Sequence, residues 1–569
     1  MKTIVDVELR KSAMELIVQH IIEERSKNKN GKYDKDLKEG VQRYLTIFQE
    51  VIQKRLRVWS NQNTKFDLVN QANILMEEER TLEISDPPTK TQLLIIKSFL
   101  KVVYHQFYTN SKDFCFNEGN HSLLFSIFIK KITLEAPIDG LQNQNTSVES
   151  SLSLESTIIS LLKGTYYKLG GFVHSTDVDF RYCFYILPET NSFLTSNNFL
   201  TDEFTKIEID DKNINKNFIA NVNNMEDSTF LIGANDIAQQ FSSNTLKHIT
   251  ITKLPCQKFE GLWENLFFEK DIKRKLFNYG EFSMEIANHL KTSNYKREFA
   301  KILVNNKIIL LHGPPGTGKT TLCQGLSQKL IIRKKHTTVV DSMKSECKGL
   351  LIEISCSQMF SRWFGESSKN LECIFNDLRK ILSSPEYKNC FLFLLIDEVE
   401  TIAGSRKDIL SKNESSDSVR VVNTLLTQID SLKSYENFLI LTTSNLVGCL
   451  DAAFLDRVDE NFFVENPSVK SVSNMLLSIV NSLFDTEIIN SKKPTKRCTE
   501  EKYLKIIDIL AQECVFFTQK IKLSGRTIRK LPLLCLSEFF SEFPVPFNDF
   551  LVALASTIKQ HVDSQQDNQ

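Results

Sequence analysis

The 569-residue chain has no net charge: 70 lysines and arginines offset 70 aspartates and glutamates. That balance argues against the broad cationic field of a nucleic-acid coat protein and leaves only local basic patches. The twelve cysteines include no Cys-x-x-Cys pair, and the nine histidines form no ligand cluster with them. No zinc site is expected, and buried free thiols in a reducing compartment fit best. No apolar run approaches the roughly 20 residues that span a bilayer. The opening Met1-Lys-Thr-Ile-Val-Asp-Val-Glu8 carries two acids and no apolar core, so no secretory signal is expected. Internal repeats are absent too. The expectation is a soluble cytosolic or nuclear protein without a membrane partner. Its length exceeds one ordinary core, so it should hold two or three domains.

The most specific pattern present is Gly313-Pro314-Pro315-Gly316-Thr317-Gly318-Lys319-Thr320, which meets the full spacing of a phosphate-gripping loop. Before it, Lys307 to Leu311 reads as a short buried strand. After it, Thr320, Thr321 and the residues to Ile332 read as a helix with Leu322, Leu326 and Leu330 on one face. Strand, glycine loop and helix in that order aim backbone N–H groups and a helix N-terminus at an anion. Lys319 is then expected to neutralise the β and γ phosphates of ATP, and the Thr320 hydroxyl to ligate Mg²⁺.

The surrounding texture divides the chain into three expected domains. Residues 1–253 open with runs of helical period near Leu9 to Glu24, Val41 to Val58 and Gln92 to Phe107. They pass through a polar linker at 142–153, then show strand-like runs at Tyr182 to Leu187, Lys206 to Asp210 and Lys247 to Thr252. This mixed α/β region carries no catalytic signature and is the natural place for partner choice. In residues 254–467, strands and helices alternate as in a parallel sheet covered on both faces. The five strands expected are Lys307 to Leu311, Leu350 to Ser355, Phe391 to Ile396, Phe438 to Thr443 and Asn461 to Glu465. Residues 468–569 read as a small helical lid with a polar tail.

Two acids, Asp397 and Glu398, close the apolar run Phe391 to Ile396. A parallel sheet presents functional groups at the carboxyl ends of its strands, so Asp397 should emerge beside the loop and hold Mg²⁺ through water. Glu398 should polarise the attacking water. Glu400 reads as a helix-start charge. At the end of the next strand, Asn445 is either a polar sensor of the lytic water or an Asn closing a turn. Arg457 is either an arginine reaching a neighbouring subunit's phosphate or half of a surface pair with Asp456 or Asp459. Arg526, at a helix start in Ser524-Gly-Arg526, either touches the nucleotide from the lid or belongs to a basic solvated face.

These residues resemble the AAA+ ATPases and, within them, the pachytene checkpoint protein 2 family. The segments that carry the likeness are Leu262-Trp-Glu-Asn-Leu266, Phe360-Ser-Arg-Trp-Phe364, Ile396-Asp-Glu-Val-Glu400, Arg420-Val-Val-Asn423, Leu426-Thr-Gln-Ile-Asp430, Ser524-Gly-Arg526 and Arg529-Lys-Leu-Pro532. They run from about Leu254 to the C-terminal helices; over the first 250 residues only the arrangement matches.

The resemblance implies a homohexameric ring with ATP at its subunit interfaces. Such a ring draws the N-terminal segment of a HORMA-domain chromosome-axis protein through its pore and converts a closed form to an open one, with room for an adaptor. It also implies a place on meiotic chromosomes in the nucleus, linking synapsis and recombination to checkpoint signalling. Arg362, Trp363, Phe364 and Gly365 match the aromatic pore loop, although Trp363 taken alone reads sooner as ordinary core. Ser405 to Ser418 falls where a second pore loop would lie, with a plain solvated loop as the alternative. Arg457 matches the trans-acting arginine, yet it stands alone where many relatives carry two. A nucleic-acid motor and a nucleotide-gated scaffold are the competing readings. The charge balance counts against direct nucleic-acid binding, while Lys492-Lys-Pro-Thr-Lys-Arg497 is an import signal or a wet loop.

Overall fold

The computed structural model describes residues 3–26, 33–62, 89–108, 124–135, 180–187, 240–268, 271–292, 307–334, 348–354, 356, 366–387, 390–405, 416–433, 435, 437–490, 501–516 and 523–567. They fall into two compact units, Met1–Ile186 and Leu187–Gln569.

In the first unit β1 (Thr3–Leu9) is central, antiparallel to β2 (Ile129–Glu135) and parallel to β3 (Phe180–Tyr185). Its period-two pattern puts Val5, Val7 and Leu9 on one buried face. Helices α1 (Lys11–Ser26), α2 (Tyr33–Gln62) and α3 (Lys90–Tyr108) add to this core, as do the buried residues Leu124 to Phe128. Met14, Ile17, Phe48 and Ile52 are fully buried, and the Phe48 and Phe128 rings stack at 5.2 Å. The three helices match those expected from periodicity. The polar linker at 142–153 and the run Lys206 to Asp210 lie outside the described residues.

The second unit is built on a six-stranded sheet of order β4-β6-β7-β8-β5-β9. The five expected parallel strands are β5 (Ile308–His312), β6 (Gly349–Ile354), β7 (Phe391–Ile396), β8 (Phe438–Ser444) and β9 (Glu460–Phe463). Parallel strands buried on both faces read as continuous apolar runs, and every residue of β7 and β8 is buried. Alternate side chains serve two cores. Leu310, Ile352, Leu394 and Ile440 pack under α7 (Glu366–Ser383) and α8 (Ser416–Leu432). Ile309, Leu351, Phe393 and Leu441 pack on the opposite side under α5 (Ile272–Thr292) and α6 (Lys319–Ile332).

One strand corrects the sequence reading. The run assigned to the N-terminal region forms β4 (Ile249–Leu254), antiparallel to β6 at the sheet's edge, so the expected boundary at 253 falls inside a strand of the second unit's sheet. The short helix α4 (Ser243–Leu246) leads into it and is docked by Asp377 of α7. Asp377 accepts from the Ser242 N–H at 2.9 Å, Thr245 Oγ1 at 2.7 Å and Lys380 Nζ at 2.8 Å. Burial pushes this carboxyl up, and the hydrogen bonds from Lys380, Ser242 and Thr245 outweigh it, so its pKa lies below the usual value. A carboxylate held down in the fold contributes stability above its unfolded pKa of about 3.9, and loses it as pH falls through the folded value. Asp377→Ala is expected to weaken the docking of α4 and β4 by about 1–3 kcal/mol at neutral pH and to abolish its acid dependence. Hydrogen exchange at the β4 amides across pH reads both effects.

The lid consists of α9 (Val469–Asp485), α10 (Glu501–Phe516), α11 (Gly525–Phe539) and α12 (Phe547–Asp567) around one core that includes Leu476, Ile507, Ile528, Leu531 and Phe550. Serine caps start two of these helices: Ser468 accepts from the Ser471 N–H and Ser524 from the Thr527 N–H. Among the described residues no helix is long and apolar enough to cross a membrane.

Candidate active site

The phosphate loop leaves β5 at His312 and enters α6 at Lys319, and its glycines make the path possible. Gly313 has φ +143°, and a Cβ there would lie 2.2 Å from the Val464 carbonyl oxygen. Gly316 has φ +77° and sits against the lid, where a Cβ would meet Ser524 Oγ at 2.8 Å. Thr317 Oγ1 donates to the Pro314 carbonyl at 3.0 Å. Lys319 is buried and its Nζ donates to the carbonyls of Gly313 and Pro314, each at 2.8 Å. Burial lowers its pKa, against the opposing pull of Glu400 and Asp397. His312 packs on Phe463 at 5.2 Å, and burial, then the nearby Lys319 charge, lowers its pKa as well.

Asp397 emerges from β7 directly opposite the loop, with Thr320 Oγ1 donating to its Oδ1 at 2.8 Å. Thr443, from the neighbouring strand β8, also donates to Oδ1. Glu398 is exposed and takes the left-handed conformation, φ 54° and ψ 51°. Its N–H donates to Thr443 Oγ1 at 3.1 Å. Glu400 lies in the short 3-10 turn Val399–Thr401, as a helix-start charge would, but its Oε1 accepts the Asn445 N–H at 3.0 Å. Asn445 therefore sits at the end of β8, tied to the turn that carries the acids.

Lid and loop meet at the start of α11. The Arg526 N–H donates to the Gly316 carbonyl at 3.1 Å, which sets its exposed side chain at the mouth of the cleft. Arg529 reaches back to the Asn265 carbonyl at 2.9 Å. The cleft has a volume of about 490 Å³. It is lined by Pro315 through Thr321, Asp397, Glu398, Thr443, Asn445 and Arg526, and by an apolar wall that includes Leu266, Phe267, Phe268, Ile272, Val464 and Met475. That mixture suits a nucleotide, whose phosphates need polar partners and whose base needs apolar ones. Composition and spacing gave no sign of the apolar wall, although Leu266 closes one of the segments quoted for the family likeness.

Arg457 does not line this cleft. Its Nε and Nη2 grip the Asp430 carboxylate at 3.1 and 2.7 Å, and Nη1 donates to the Ala453 carbonyl at 2.8 Å. The anchoring acid is thus Asp430 on α8, not the neighbouring Asp456 or Asp459 offered by the sequence. Asp459 Oδ2 instead accepts from the Ile308 N–H and the Tyr279 hydroxyl, each at 3.1 Å. Hydrogen bonding from Arg457 holds the Asp430 carboxyl below its usual range. The expected pore-loop residues Arg362, Trp363, Phe364 and Gly365, most of the Ser405 to Ser418 segment and the Lys492 to Arg497 run lie outside the described residues.

A model of the ATPase family associated with various cellular activities (AAA) matches residues 309–466, and a TRIP13-like, AAA+ ATPase lid C-terminal domain matches residues 468–562. Pachytene checkpoint protein 2 of Saccharomyces cerevisiae is 37% identical over 570 aligned residues, covering 98% of this chain and 99% of the relative. The chain belongs to the pachytene checkpoint protein 2 family of AAA+ ATPases. The Arabidopsis thaliana pachytene checkpoint protein 2 homolog is 36% identical over 55% of this chain and 66% of its own length. The solved structure of C. elegans PCH-2 aligns with 84% of this chain and 98% of its own, at 22% identity and a TM-score of 0.49. As a member of this family the chain binds ATP and is an ATPase.

Proposed function

We propose that this chain is an ATP-driven remodeller of HORMA-domain proteins that works as a homohexameric ring on meiotic chromosomes in the nucleus. The observation that carries the enzymatic part is the convergence of Lys319, Thr320, Asp397, Glu398, Asn445 and Arg526 on one cleft between loop, acid pair and lid. In this reading Lys319 and the loop amides hold the β and γ phosphates, Asn445 orients the attacking water, Glu398 takes its proton, and Arg526 contacts the phosphates from the lid. Mg²⁺ fits the donors present: Thr320 Oγ1 and Asp397 Oδ1 lie 2.8 Å apart, and oxygen ligands completed by water and phosphate are what this ion takes. Thr320 would ligate it directly and Asp397 through water, and the bound ion would supply charge neutralisation at the phosphates.

Arg457 is the proposed trans-acting arginine. With one edge of its guanidinium clamped by Asp430 and one Nη1 proton on Ala453, the outer Nη1 and Nη2 protons form a fork matched to two phosphate oxygens. Arg457→Ala is expected to lower kcat by about 10³-fold, the lower end for such an arginine. Mixing Arg457→Ala with Glu398→Gln subunits should restore part of the hydrolysis, because a seam that takes its acid from an Arg457→Ala subunit and its arginine from a Glu398→Gln subunit is intact. No recovery on mixing would contradict action in trans.

Membership of the family, with similarity to the yeast protein along nearly the whole chain, supports the substrate class, the meiotic setting and a role in recombination and the synapsis checkpoint. Arg362 to Gly365 are the proposed grip on the threaded segment, and an adaptor on the N-terminal unit would fit the division of labour. The deciding experiment incubates the purified chain with a HORMA-domain protein closed on a labelled peptide. ATP-dependent peptide release together with stimulated hydrolysis supports the reading. Stimulation by DNA alone, with no release, favours a nucleic-acid motor.

A further inference from the structure

We propose that Thr443 is a positioning residue for the acid pair, its single hydroxyl fixing the place of both carboxylates at once. Thr443 is 1% exposed and forms part of the cleft wall. The last paired residues of β7 and β8 are Ile396 and Thr442, so Asp397 and Thr443 take the next register step, side by side. A hydroxyl has one proton to give and lone pairs to receive with, and Thr443 uses both capacities on the acid turn. It donates to Asp397 Oδ1 and accepts from the Glu398 N–H at 3.1 Å.

The second bond matters because Glu398 holds a left-handed backbone that residues with a side chain rarely adopt. Such a conformation persists where its surroundings over-determine it, and here both sides of the residue are held. Thr443 fixes its N–H, while Thr401 donates to its carbonyl from Oγ1 at 2.9 Å and from N at 3.0 Å. A parallel tie runs from Glu400 Oε1 to the Asn445 N–H. The ends of β7 and β8 are therefore laced twice, with the Asp397 carboxylate, the Glu398 backbone and the Asn445 N–H held in one frame. Neither tie has a motif to announce it, since Thr443 reads in sequence as one more residue of a buried strand.

This inference rests on the reading of Glu398 as the group that acts on water. The experiment compares kcat, KM and ADP affinity, measured by a fluorescent analogue without Mg²⁺, for Thr443→Val and Thr443→Ser. Val keeps the shape and loses the hydroxyl; Ser keeps the hydroxyl and loses a methyl. The expected result is a kcat about 10- to 100-fold lower for Val, as for a misplaced reacting group. Ser should stay closer to the parent, and ADP affinity should change less than about threefold in both, since the phosphate loop is untouched. A kcat for Val equal to or above that for Ser would mean that Thr443 merely packs, and would overturn the proposal. Should Val fail to fold, Ser against Ala makes the same comparison, with equal activities again overturning it. Glu398→Gln separates the two layers: rapid turnover there sinks the underlying reading, whereas a dead Glu398→Gln beside a fully active Thr443→Val sinks the Thr443 proposal alone.

Discussion

Glu398→Gln is expected to lower kcat by about 10²–10⁴-fold, the range for loss of a positioned general base, while ATP binding is retained. The amide has nearly the shape of the carboxylate, and the turn that presents it is held by backbone groups that the substitution leaves alone. What disappears is the capacity to take a proton from water. Affinity should persist because the phosphate loop, Lys319 and the apolar wall are unchanged. Single-turnover hydrolysis with a fluorescent-nucleotide titration separates the two quantities. Fast hydrolysis by this variant would remove Glu398 from the mechanism, and weak ATP binding would show that its charge serves the ground state instead.

The second large effect is expected at a residue with no side chain. Gly313→Ala would place a methyl 2.2 Å from the Val464 carbonyl oxygen, at a backbone φ of +143°. Neither problem has an easy escape. The obstructing atom is main chain, fixed by the Val464 N–H donating to the His312 carbonyl at 2.7 Å, and Gly313 is itself pinned by its N–H to the Ser444 carbonyl at 3.2 Å. Conformational strain alone is about 1–3 kcal/mol, and relieving the overlap must move the loop away from β9. Nucleotide affinity is expected to fall by at least about 100-fold, which is about 2.7 kcal/mol. Gly448 supplies the contrast: a Cβ there meets nothing within 4 Å, so Gly448→Ala should stay within about 0.5 kcal/mol of the parent. Calorimetric titration with ADP and thermal melts of both variants test the pair. Equal ADP binding by Gly313→Ala would mean that the loop has room the backbone geometry denies it.

Which parts of this site could be foreseen follows from how local their signals are. The phosphate loop, the acids at the end of β7 and the parallel strands β5 to β8 are written in contiguous residues, because a strand buried on both faces must be a run of apolar side chains. Leu322, Leu326 and Leu330 likewise announced α6 by spacing alone, and all three are buried. The missed features are pairings between distant segments. The clamp on Arg457 comes from Asp430, 27 positions earlier, and no local pattern selects that acid over Asp456 or Asp459. Glu400 looked like a charge at a helix start because its bond to the Asn445 amide spans two strands. β4 misled for another reason. As an edge strand its Thr250, Thr252 and Lys253 are not fully buried, so its alternation resembled the strands of the preceding domain, and only its register with β6 reveals where it belongs.

That register has a practical side. A fragment begun at Leu254 would lack β4 and leave the backbone N–H and C=O groups of Gly349 to Ile354 bare along one margin of the sheet. Such a margin is a template for another chain's strand. A motor fragment that starts before Ser242 keeps the margin sealed and retains the Asp377 clasp. One that starts at 254 should clump through this seam, whatever the state of its catalytic machinery.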